Sequence, residues 1–140
     1  LRVVGIDPWA PALAVGRDQV RAAELEPRVE LREIPGEAIE DEAAFDLAWI
    51  ATLFIPENAL PEVLRRVRRS LRPAGWLLLP MLGANADPFT AAVTRLRCTS
   101  WGGGAPTIEQ GEELLRVAGF DDIRRLPAAP AASIGLVAAR

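Results

Sequence analysis

The chain has 140 residues, half of them hydrophobic and a quarter charged, with a formal net charge of −3. Those values suit one globular domain with a buried core and exclude nucleic acid as the default partner. There is no His, no Tyr and one cysteine, Cys98, which excludes a His base, His- or Cys-based metal sites, Ser-His and Cys-His pairs, and an internal disulfide.

A lone thiol fits a reducing, cytoplasmic compartment. All sixteen basic residues are Arg, and Ala is abundant, as expected of a GC-rich bacterial genome. No apolar run approaches the ~20 residues of a membrane helix.

Residues 1–6 read as an apolar strand running into Asp7, with Pro8 and Pro11 framing a turn. A helix is predicted over 11–25, with Leu13, Val20 and Leu25 inward, stopped by Pro27. Residues 29–34 alternate apolar and polar, as a strand does. Pro35 and Gly36 make a turn, and 37–42 is an acidic connector. Residues 45–50 form a continuous apolar strand after Asp46, the pattern of a buried parallel strand. The clearest helix spans 57–71, with Leu60, Val63, Leu64, Val67 and Leu71 on one face. Arg72-Pro73-Ala74-Gly75 ends it, and 76–81 is the next strand. A helix over 88–96 leads to Trp101-Gly102-Gly103-Gly104, read as a flexible loop. Thr107 and Gln110 stand at capping-box spacing before a helix that stops at Gly119. Strands at 122–126 and 133–138 close the chain, joined by a Pro/Ala-rich connector, 127–132. Alternating strands and helices predict an open α/β sheet, and no domain boundary is visible within 1–140.

Four segments, in order, resemble the class I S-adenosylmethionine-dependent methyltransferases. They are Val3-Val4-Gly5-Ile6-Asp7, then Phe45-Asp46-Leu47-Ala48-Trp49-Ile50. The third runs from Leu64 through Leu71-Arg72-Pro73-Ala74-Gly75 to Leu79. The fourth is Leu114-Leu115-Arg116-Val117-Ala118-Gly119-Phe120. The resemblance covers nearly the whole chain and implies a Rossmann-like open sheet, mostly parallel, with a C-terminal antiparallel strand pair. It implies S-adenosyl-L-methionine as cofactor and methyl transfer, at oxygen, to a small-molecule acceptor. It places Asp7 at the cofactor's ribose, where a carboxylate can accept from two vicinal hydroxyls. Pro8 and Trp9 then follow at the ribose and adenine edge, Pro35, Gly36 and Glu37 at the adenine rim, and Ile50, Ala51 and Thr52 along the strand end. Asp46 is structural in this reading, and a catalytic residue is not assigned.

The chain departs from the family in three ways. The glycine-rich loop after the family's first strand is absent, since Asp7-Pro8-Trp9-Ala10-Pro11 holds no glycine. Pro35 stands where the family often carries Asp, and no His follows residue 50. The expectation is therefore that the chain begins at the family's second strand. The central first strand would be missing between 2–6 and 46–50. An upstream segment or another chain would complete the sheet, and these residues alone would be inactive.

Each assignment has a plainer alternative. Asp7 can simply end a strand, and Trp9 can simply pack. The Arg65, Arg66, Arg68 and Arg69 run reads as a solvated helix face rather than a nucleic-acid patch. Cys98 reads as a core thiol. The Trp101–Gly104 loop reads as exposed, or as a lid over an acceptor. Two other functions stay open: a non-catalytic module of the same fold, and a nicotinamide-dependent oxidoreductase, which also uses an acid after its second strand.

Overall fold

The computed structural model describes residues 1–82, 87–127 and 134–140. The chain forms two compact units, residues 1–39 and 40–140. Together they give a mixed α/β protein with open sheets. Of the connector 127–132, only Pro127 lies within the described residues.

The first unit holds β1 (Val3–Ile6), α1 (Ala10–Ala22) and β2 (Val29–Arg32). β1 and β2 pair in parallel from Val3 opposite Val29 to Ile6 opposite Arg32. Leu31 of β2 packs against two glycines of this unit. A Cβ added at Gly5 would come within 2.8 Å of its Cδ2, and one at Gly16 within 3.2 Å of its Cδ1. The two glycines therefore make the space that a branched side chain fills. Leu13 is buried on α1 as expected. Leu25 is not: α1 ends at Ala22, and Glu24 enters the left-handed region at φ 55°. That reversal carries Leu25 off the helical stripe and leaves it 39% exposed.

The second unit opens with β3 (Phe45–Trp49), α2 (Leu60–Ser70) and β4 (Leu71–Leu82). It continues with α3 (Pro88–Ser100), α4 (Ile108–Val117), β5 (Ile123–Arg125) and β6 (Ile134–Ala139). Its sheet has the order β3-β4-β6-β5. β3 and β4 are parallel, and β6 runs antiparallel to both β4 and β5. Among the described residues β1 and β3 share no ladder.

The apolar stripe of α2 is buried at Leu60, Val63, Leu64 and Val67. It packs on β4, whose Leu77, Leu79 and Met81 are fully buried. The Arg run lies on the opposite face, tied up locally. Arg65 and Arg66 pair with Glu62, Arg69 pairs with Glu42, and Arg68 Nε donates to the Gly119 carbonyl at 3.0 Å.

Two expectations needed correction. The segment Arg72-Pro73-Ala74-Gly75 does not separate helix from strand; β4 already begins at Leu71. Phe45 pairs with Leu71 but Leu47 with Trp76, so two steps on β3 match five on β4. The excess is a bulge around Ala74, held at φ 68°. Second, β3 is not the buried middle of a sheet. It is an edge strand in this unit, and Leu47 and Trp49 are more than half exposed.

Thr107 and Gln110 form the capping box of α4, each accepting from the other's backbone N–H at 3.3 and 2.9 Å. At the far end of the sheet, the guanidinium groups of Arg124 and Arg140 both rest against Trp76, each 5.0 Å from its ring centre. Asp122 pairs with both.

Glu112 of α4 binds Arg125 of β5 through both carboxylate oxygens, at 2.6 and 3.1 Å. The Arg125 hydrogen bond holds its pKa below the ordinary 4.5. A depressed carboxylate pKa stabilises the fold above the unfolded value, and that contribution disappears as pH falls through the folded value. Glu112→Gln should therefore lower the melting temperature at neutral pH. The gap to the unsubstituted protein should close as pH falls below 4.5. A gap that stayed constant with pH would show that the pair carries no charge-dependent stability.

Candidate functional site

In open α/β proteins, ligands sit outside the carboxyl ends of the parallel strands. In the first unit that position is filled by Asp7 and the segment after β2. The Asp7 N–H donates to the Arg32 carbonyl at 3.2 Å, so the β1–β2 ladder runs to the acid itself. The Asp7 carboxylate then accepts from the Trp9 N–H through Oδ1 at 2.7 Å. This side-chain turn fixes the carboxylate just before α1. Oδ2 has no hydrogen-bond partner among the described residues, and Asp7 is half-buried. A fixed carboxylate with an oxygen to spare fits a vicinal diol, two donors facing one acceptor group.

Pro8 is exposed, and Trp9, the residue at the N-cap of α1, is 66% exposed. Pro35, Gly36 and Glu37 stand at the same end of β2, one strand over from Asp7. Pro35 precedes a short 3-10 turn, Gly36–Ala38, in which Gly36 and Glu37 are half-buried. A hollow of about 170 Å³ between Arg17, Arg21, Val29 and Leu31 lies toward the amino end of β2, away from Asp7.

In the second unit, Ile50, Ala51 and Thr52 follow the carboxyl end of β3. The Ile50 N–H extends the ladder to the Leu78 carbonyl at 3.2 Å, and its side chain is buried. Thr52 is fully buried, and its hydroxyl donates to the Pro80 carbonyl. These two side chains serve packing, so a ligand here would meet backbone and the exposed Ala51.

The chain then turns through a 3-10 segment, Thr52–Phe54, toward the glycine loop. That loop is packed rather than open. The Gly103 N–H donates to the Cys98 carbonyl at 2.9 Å, and the Gly104 N–H to the Ile55 carbonyl at 3.1 Å. A Cβ at Gly103 would sit 2.0 Å from the Leu53 oxygen. Glycine here allows close approach of two backbones. Trp101 consequently stacks on Phe54, ring centroids 5.3 Å apart and planes at 27°. The Arg97 guanidinium carbon lies 4.9 Å from the Trp101 ring. Beside this stack runs a groove of about 320 Å³ whose walls include Leu53, Phe89, Val93, Arg97 and Trp101. Cys98 lines its floor, buried.

The sequence reading singled out Trp101 but missed Phe54, Phe89 and Arg97. The spacing of Arg97 and Trp101, four residues across the end of α3, was the available signal. The proximity of Phe54 depends on the tertiary fold, and nothing in the sequence marks it.

Residues 1–75 match the family model described as "Methyltransferase domain". No curated protein sequence matches the chain. Solved structures do. The mitomycin 7-O-methyltransferase MmcR aligns over 100% of this chain with a TM-score of 0.82 at 19% identity. The S-adenosylmethionine-dependent methyltransferase SibL aligns over 99% with a TM-score of 0.77 at 24% identity. An O-methyltransferase family protein from Burkholderia thailandensis aligns over 99% with a TM-score of 0.76 at 17% identity. At these identities the likeness is one of fold. The chain spans 42%, 43% and 42% of those three structures' lengths, respectively.

Proposed function

Because the chain belongs to the methyltransferase domain family, we propose that the protein carrying it transfers a methyl group from S-adenosylmethionine to an oxygen of a small-molecule acceptor. The observation that carries this reading is Asp7: an acid at the end of a parallel strand, fixed by the Trp9 N–H, with Oδ2 unengaged among the described residues.

The bound cofactor would supply an already activated methyl carbon. The protein's task is then chiefly alignment and exclusion of water. Asp7 would hold the ribose hydroxyls, with Pro8 and the exposed Trp9 beside it. Pro35, Gly36 and Glu37 would border the base. Ala51 and the backbone around Ile50 and Thr52 would bound the strand end of the second unit. The chain has no His to act as base. In this reading the methionine end is held by sequence outside these 140 residues, which would also complete the sheet, and the segment alone transfers no methyl group. Comparing methyl transfer by residues 1–140 with that by a longer form of the protein tests the last point; equal turnover would refute it.

Asp7→Ala should weaken binding of S-adenosylhomocysteine to the whole protein by about 1.5–3 kcal/mol, the scale of a hydrogen bond to a charged group. Calorimetric titration would read this as roughly a tenfold to hundredfold rise in Kd. An unchanged Kd would mean that Asp7 merely ends a strand. It would leave the non-catalytic reading of the fold as the better one.

A further inference from the structure

We infer that the groove beside Trp101 binds an aromatic carboxylate, and that Arg97 recognises its acid group. The inference rests on the methyltransferase reading only in making this ligand the methyl acceptor. The binding claim stands on geometry within the second unit.

The groove presents aromatic faces to solvent where a soluble surface would ordinarily cover them. Of its lining residues, Phe89 is 78% exposed and Trp101 44%. A planar ring has two aromatic side chains in the groove lining, Phe89 and Trp101, and contact with them is favoured by burial and by ring quadrupoles. The volume of about 320 Å³ suits one small aromatic molecule rather than a protein segment.

Arg97 supplies the charge. Most other arginines of this unit are committed: Arg65, Arg66, Arg69, Arg72, Arg116, Arg124, Arg125 and Arg140 all face carboxylates. Arg97 has no ion pair among the described residues. Its guanidinium has one partner among them, the Trp101 ring, whose centre lies 4.9 Å from the guanidinium carbon. One ring contact does not use up the five N–H donors of a guanidinium, a group that binds a carboxylate bidentately. A cation held on an aromatic face at the rim of an apolar groove selects a ligand with an apolar ring at one end and an anion at the other.

The test uses the whole protein without cofactor, with intrinsic tryptophan fluorescence and calorimetry as readouts. The probes are 4-hydroxycinnamate and its neutral amide, which share shape and ring. The carboxylate should bind about tenfold more tightly than the amide, a preference worth about 1.4 kcal/mol. Arg97→Gln should abolish that preference and leave the amide's affinity unchanged. Trp101→Ala should weaken both probes. Equal affinities for the two probes, or a preference that survives Arg97→Gln, would overturn the inference. So would a dimer in sedimentation velocity that Phe89→Ser dissolves and the carboxylate does not, since the aromatic face would then serve a second copy. S-adenosylhomocysteine binding, measured separately on the same variants, reports on the methyltransferase reading. Either claim can fail while the other stands.

Discussion

Phe120→Ala should destabilise the protein by about 3–5 kcal/mol, the cost of removing a large buried aromatic side chain. Phe120 is 1% exposed. It follows Gly119, whose φ of 91° turns the chain sharply at the end of α4. Arg68 of α2 spans the same corner, its guanidinium 5.6 Å from the ring and its Nε bonded to the Gly119 carbonyl. One side chain therefore fills the corner where α2 meets the end of α4. Truncation leaves a cavity with rigid walls on both helices, and such cavities collapse poorly. Urea titration would show a lower midpoint at an unchanged slope. A loss below ~1 kcal/mol would mean that the corner repacks, contrary to the near-rigid interior expected of proteins. Arg68→Ala is the milder companion. It removes one hydrogen bond and a partly exposed stacking contact, worth about 1 kcal/mol.

Gly103→Ala should be nearly as damaging. A methyl group there would lie 2.0 Å from the Leu53 carbonyl oxygen and 2.3 Å from its carbon. Both obstacles are backbone, so no rotamer change relieves the overlap. The loop must lift, and overpacking of this kind typically costs about 1–3 kcal/mol. Lifting would also separate Trp101 from Phe54, which changes tryptophan emission. Gly102→Ala is the informative control, because nothing lies within 4 Å of the added Cβ and the only penalty is φ of 82°. That position should cost about 1–2 kcal/mol, the penalty for a left-handed residue with a side chain, and leave the stack intact. Equal spectral changes in the two variants would show that backbone strain, and not contact with Leu53, sets the loop.

The same loop shows what sequence reasoning could reach. Three consecutive glycines suggest mobility, yet glycine also permits two backbones to touch, and composition alone cannot separate these uses. Only the position of Leu53 decides it, and that depends on the tertiary fold. The capping box at Thr107 and Gln110 was legible because both partners lie within one helical turn. The stripe of α2 was legible because its period is local. The strand at 45–50 was found, but its exposure was misjudged, since apolar content does not say whether a neighbouring strand lies on each side. The bulge at Ala74 was read as a turn for a related reason. Arg-Pro-Ala-Gly carries turn chemistry, and the ladder around it is visible only once β3 is in place. The place of Asp7 at the end of β1 was legible from the apolar run before it. The burial of Thr52 was not, because its partner carbonyl at Pro80 lies on another strand.

The position of β6 has a consequence for biosynthesis. It lies between β4 and β5, with ladders to both, although it is made after both. While the nascent chain is still emerging from the ribosome, β5 has no strand to pair with and β4 keeps one side bare. The sheet can close only after residue 139 is released from the exit tunnel, and it closes by insertion rather than by addition at an edge. Such long-range pairing is slow compared with local helix formation. Newly made chains will therefore pass through an interval in which the β4 edge from Leu77 to Leu82 is unpaired, the stage at which chaperone binding or premature association competes with folding.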